Sequence, residues 1–229
     1  MRSTKNALWF LGSLGVGLLS IVIGFMNLLE FPTEARASAG LTQLPIVNSR
    51  TLNSLPAGSR VFVEGRISAR NTVADFDFVA YQREEYRGRR YGGSSFRNRE
   101  IWRKDEQLTP KLQLSVGGTY LWVSNTNYTL DTAPSFYQTS KTLSWDGATN
   151  EGTKRYTGFR HNDTVAVVGI LQGSGRSRVI VAEVLHGGSA TSYIAAQQQS
   201  AQTMPFAGIG FIGFGLLLAG MALWPLLRI

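Results

Sequence analysis

Cysteine is absent from all 229 residues, which together excludes disulfides, thiolate zinc sites, iron–sulfur clusters and cysteine nucleophiles. Histidine is almost absent. His161 and His186 are the only two, too few for the usual zinc sites, which draw on Cys or on several His together. No metal or cofactor is expected. Charge is missing from two long stretches: Asn6 to Leu29 and Met204 to Leu227 contain no Asp, Glu, Lys, Arg or His. About 20 apolar residues suffice for a helix to cross the ~30 Å hydrocarbon core, so each stretch is expected to span a membrane.

Flanking residues orient the two spans. Arg2 and Lys5 favour a cytoplasmic start, so the first helix runs outward and the second returns, bringing Arg228 to the cytoplasmic side with Trp9 and Trp224 near one interface. The first run also resembles a secretory signal, with Ala35-Arg-Ala37 and Ala37-Ser-Ala39 as small-residue sites. Its apolar stretch exceeds the ~7 to 15 residues of a signal core, and Glu30, Pro32 and Glu34 intervene, which favours an uncleaved anchor. Pro205 suits a first helical turn. Gly215 and Ala219 form a small-xxx-small pair suited to close helix approach.

The chain between the spans carries every acidic residue and 20 of the basic ones, out of totals of 15 and 23. A basic domain can meet nucleic acid, anionic lipid or an acidic protein. The non-cytoplasmic placement argues against nucleic acid. Residues 30–57 read as a linker containing Pro32, Pro45 and Pro56. Strand periodicity then begins at Ser59–Arg70, where Val61-Phe-Val-Glu-Gly65-Arg-Ile67 has the same V-x-V-x-G-x-(I/L) form as Val165-Ala-Val-Val-Gly169-Ile-Leu171. A glycine inside a strand marks a bulge or bend of the kind that turns a barrel corner. Further strands are expected at Phe76–Tyr86, Lys111–Val116, Thr119–Asn125 and Val179–Leu185, with Gly117-Gly118 as a hairpin turn. This density of strands argues for a small antiparallel barrel or sandwich. Residues 190–203 read as a short helix ahead of the second span.

One basic stretch, residues 87–104, breaks the pattern. Arg87, Arg89, Arg90, Arg97, Arg99, Arg103 and Lys104 surround a Gly92-Gly93-Ser94-Ser95 centre and are mixed with Tyr91, Phe96 and Trp102. The reading is a mobile hairpin tip. These seven cations form the candidate binding surface for anionic lipid or an acidic partner, set against the alternative of a merely hydrated insertion.

Catalytic chemistry has little to stand on. His161 and His186 lie in turn-like contexts, and no acid or hydroxyl can be assigned to them from sequence, so no catalytic residue is named. Asp75 and Asp77 form a D-x-D, far short of the six or so oxygens of a calcium site. Gly173-Ser-Gly175-Arg-Ser-Arg178 joins two strands and opens no helix, so it reads as a hairpin and not a phosphate cradle. Glu84 and Glu85, adjacent in a strand, point to opposite faces and cannot act together.

Several local features, in order, resemble the membrane-flanked domain of the GIDE family. They are Val63-Glu-Gly-Arg-Ile67, Phe78-Val-Ala-Tyr-Gln-Arg-Glu-Glu-Tyr86, Trp102, Leu112 to Asp131 around Gly117-Gly118, Tyr156-Thr-Gly-Phe159, and Val165 to Leu171. The family includes mitochondrial and chloroplast outer-membrane E3 ubiquitin ligases and many bacterial proteins. The resemblance covers roughly residues 55–227 and implies an OB-like β-domain between two membrane helices, serving in recognition or scaffolding. The ligases' RING domain needs zinc-binding cysteines, and this chain has none, so ligase activity is not implied. The expected organisation is a cytoplasmic start at 1–6, a span at 7–29, the linker at 30–57, a mainly β, OB-like antiparallel barrel at 58–189, the short helix at 190–203 and a span at 204–227. The expected function is a non-catalytic binding or scaffold module in a bacterial plasma membrane or a thylakoid. An accessory subunit of a membrane complex and a hydrolase with an unrecognised site are the alternatives.

Overall fold

The computed structural model describes residues 2–90, 99–139 and 152–223. Its elements are α1 (Arg2–Thr42), β1 (Ile46–Val47), β2 (Arg60–Ile67), β3 (Phe78–Arg90), β4 (Arg99–Leu108), β5 (Leu112–Val116), β6 (Thr119–Val123), β7 (Thr129–Asp131), β8 (Ser135–Gln138), β9 (Lys154–Arg160), β10 (Thr164–Gln172), β11 (Val179–Gly187) and α2 (Ala190–Leu223). They fall into two units: a helical unit (1–43 and 194–229) and a β unit (44–193).

In the β unit, five strands close into a barrel of order β2–β10–β11–β6–β5, with β5 returning to β2. This is the expected OB-like barrel between two apolar helices. Four of the five pairings are antiparallel, and β11–β6 is parallel, with Val179 opposite Trp122 and Ile180 opposite Val123. The parallel pair arises because the chain leaves β6 for β7, β8 and β9 before it re-enters the barrel, so the two strands are joined by a crossover and not a hairpin.

The repeated segment explains the closure. Val61, Val63, Val165 and Val167 all lie in the barrel core, and Val63 is the cross-strand partner of Val167. Each such side chain contributes about 1.5–3 kcal/mol by leaving water. The intervening Phe62 is also fully buried, on the other face, where its ring meets Tyr193 edge-on at 6.0 Å. Gly169 sits at a register shift between β10 and β11, and a Cβ there would strike the Val181 carbonyl. Gly65 lies where β5 closes on β2, and a Cβ there would come 2.7 Å from the Ser115 oxygen. Gly117 and Gly118 have φ of 54° and 86°, as a two-residue turn between β5 and β6 requires.

A second antiparallel sheet, β4–β3–β9–β8, grows from the segments inserted between barrel strands. Val79, Ala80 and Phe159 pack into the barrel core, whereas Phe78, Tyr81 and Tyr156 make a separate aromatic cluster. The adjacent Val79 and Ala80 share one core because a register shift between Phe78 and Ala80 breaks the two-residue period there.

The helical unit corrects two boundaries. Residues 30–42, expected as linker, continue α1, so the non-helical connection to β2 begins only after Thr42. Residues 190–203 are not a separate helix, because α2 is continuous from Ala190 to Leu223 with Pro205 inside it. Pro205 removes one N–H from the helical ladder, but one lost bond does not end a helix that good helix formers continue on both sides, Ala and Gln at 195–199 before it and the apolar run after it. Both helices are long and apolar enough to cross a membrane, and their large apolar side chains point outward, Phe206 at 76% exposure and Leu19 at 60%. They pack antiparallel on glycine. A Cβ on Gly24 would come 2.6 Å from the Gly208 oxygen, and one on Gly17 would come 2.9 Å from the Gly215 oxygen and 3.3 Å from Ala219 N. Gly215 and Ala219 therefore meet the partner helix as expected. Trp224 and Arg228 lie outside the described residues.

Candidate functional site

Over its described part the basic stretch is a paired strand arm. β3 runs through Arg90 and β4 starts at Arg99, with Arg89 opposite Glu100 and Arg90 opposite Arg99. Charged residues alternate here with no apolar period, which is why the strand character is hidden in the sequence. Arg97 and Gly92–Ser95 lie outside the described residues, and the ladder fixes only the backbones of Arg90 and Arg99.

Two of the cations are paired locally. Arg87 pairs with Glu85 at 2.8 Å, and Arg89 reaches Glu100 at 4.0 Å. Arg103 and Lys104 stand exposed on β4, where the Lys104 ammonium donates to the Gln107 side chain. Neither forms an ion pair among the described residues. Glu84 and Glu85 do point apart. Glu84 accepts from Arg155 at 2.6 Å, and the Arg155 guanidinium also lies over the Trp102 ring at 4.3 Å.

Deeper in the same sheet, Arg83 bridges Asp105 at 3.0 Å and Glu106 at 2.7 Å, and Lys154 reaches Asp105 at 3.6 Å. Burial pushes the Asp105 carboxyl up, but Arg83 and then Lys154 outweigh it and hold it below the usual carboxylate value. Tyr81 donates to Glu106 at 2.5 Å, with Asp75 at 3.4 Å. Burial first, and then the Glu106 hydrogen bond, raise its phenol well above normal. Asp75 of the D-x-D is thus engaged with a tyrosine.

The fold also assembles a set that sequence reading missed. His186 at the end of β11 is 3% exposed, its Nδ1 lies 2.9 Å from Asp131 on β7, and its Nε2 lies 3.2 Å from the Ser192 hydroxyl in the first turn of α2. Asp131 and Ser192 are 55 and 6 residues away in sequence, so only the parallel β11–β7 pairing and the helix start bring them together. His161 gathers no such set, its Nε2 lying 2.9 Å from the Asn71 carbonyl.

No family model, curated protein or solved structure matches the chain. An acid, an imidazole and a hydroxyl in line have the connectivity of a nucleophilic triad. Here the Ser192 hydroxyl donates at 2.7 Å to the Ser189 carbonyl, closer than it stands to the imidazole. Two nearby N–H groups that could hold an oxyanion are taken: Ala190 N–H donates to Glu64 at 2.7 Å, and Ser192 N–H donates to the Ser189 hydroxyl at 3.1 Å. The Ser192 proton thus has an acceptor outside the imidazole, whose Nδ1 faces Asp131. The geometry is that of a capped helix start tied to the barrel.

Proposed function

We propose that the protein is a membrane-anchored, non-catalytic binding or scaffold module that tethers an OB-like β-domain on the non-cytoplasmic side of a membrane. The observation that carries this reading is the four-stranded sheet attached to the barrel, whose β4 holds Arg103 and Lys104 exposed without an ion pair among the described residues. Two apolar helices support the anchor, and Arg2 and Lys5 support the orientation. The partner this surface suits is anionic, either a lipid headgroup or an acidic protein.

Vesicle flotation of the full chain reconstituted with and without anionic lipid, alongside native purification from the membrane, tests the reading. The expected outcome is either recruitment of anionic vesicles or co-purification of an acidic protein. That binding should weaken as salt rises, with a screening length of about 8 Å at physiological ionic strength. It should fall several-fold when Arg103 and Lys104 are replaced by Ser. Binding that is unaffected by salt and by both substitutions rejects this surface.

A further inference from the structure

A second cationic feature lies in the β unit, in the turn between β10 and β11. Arg178 is a buried residue, 8% exposed. Its Nη1 donates to the Leu52 carbonyl, its Nη2 donates to the Leu55 carbonyl at 2.6 Å, and its buried Nε–H has no acceptor. Carbonyl oxygens satisfy N–H groups but carry no net charge. A buried arginine is ordinarily paired, and among the described residues Arg178 forms no ion pair. Its positive charge therefore remains uncompensated.

Arg178 borders a cavity of about 230 Å³, shared with Leu52, Asn53, Thr119, Tyr120 and Gly175. Among the described residues no carboxylate lines it. Outside this lining, the Arg70 guanidinium lies 4.6 Å over the Tyr120 ring, and it too forms no ion pair among the described residues. Asn53, Thr119 and Tyr120 add side chains able to donate hydrogen bonds. Gly175, with φ of 54° and nothing within 4 Å of where a Cβ would stand, leaves the rim open.

We propose that this cavity binds a phosphate group, as inorganic phosphate or a phosphate monoester. The unpaired Arg178 guanidinium on the lining suits an anion, and its planar donor geometry suits a tetrahedral oxyanion. The site is independent of the β4 surface, and its test does not depend on that reading.

The full chain in detergent is titrated with inorganic phosphate against chloride at constant ionic strength, following thermal unfolding and isothermal heat. Specific binding should raise the unfolding midpoint by about 3–6 °C at ten times the dissociation constant. Arg178→Gln should abolish the shift. Because that substitution also releases Leu52 and Leu55, Thr119→Trp serves as a second variant, which blocks the cavity while keeping both carbonyl contacts, and it should weaken binding at least tenfold. Glycerol phosphate and a short-chain phosphatidic acid then separate a soluble monoester from a lipid headgroup as the source. Equal midpoints in phosphate and chloride for the unaltered protein overturn the proposal, as does a full phosphate response in Thr119→Trp.

Discussion

Arg83 and Asp105 show how a charged strand pair holds its place. Both side chains are less than one-fifth exposed, at 18% and 19%, so their attraction is only partly screened. The Asp105 carboxyl is held below its usual value of 3.8 in the folded protein. Its contribution is therefore fully present above about pH 3.8 and is lost as pH falls through the lower folded value. Asp105→Asn should destabilise the β unit by roughly 1 kcal/mol at pH 7. The gap between variant and parent midpoints should close as the pH drops below the usual carboxylate range, and calorimetry across pH 2.5–7 reads it directly. A constant gap would mean that the pair acts through shape alone. At the same scale, the Ser192 hydroxyl illustrates why residue type does not define chemistry: its proton is directed to a carbonyl at 2.7 Å and not to the imidazole at 3.2 Å.

Between elements, glycine sets the spacing of α1 and α2. Gly24 and Gly208 approach so closely that either Cβ would meet the opposite backbone oxygen at 3.0 Å or less, and Gly17 and Gly215 repeat the contact seven residues on. Two turns of helix separate seven residues, so the four glycines line one seam. Gly12, in contrast, has nothing within 4 Å of its Cβ position. Gly24→Leu should therefore separate the helices and lower the thermal midpoint of the full chain in detergent, at a cost of about 1–3 kcal/mol from overpacking. Gly12→Leu should leave the midpoint unchanged. Equal effects from the two substitutions would show that the seam does not hold the pair.

For the whole molecule, the consequence lies in topology. If Arg2 and Lys5 remain cytoplasmic, both termini lie inside and residues from about 40 to 200 lie outside. Protease added to intact spheroplasts of an expressing bacterium should then degrade the β unit and spare the termini. Protection in spheroplasts with cleavage in inverted vesicles reverses the orientation and returns nucleic acid as a partner for the basic domain.

Much of this architecture was readable before any tertiary contact was known. Two uncharged runs, the alternation around Val61 and Val165, and the Gly117-Gly118 turn depend on local composition and period, and the structure shows a barrel flanked by two apolar helices. Strands β4 and β8 were not legible, because β4 is dominated by charged residues and β8 is only four residues long, so neither shows an apolar period, and each forms by pairing with β3 or β9. The continuation of α1 and α2 past their expected ends was hidden by prolines and small polar residues, which weaken a helical period without forbidding it. The His186 set and the Arg178 cavity join residues up to 55 and 126 positions apart. Such groupings depend on which strands become neighbours, a choice made by burial of the whole core and not by any local segment.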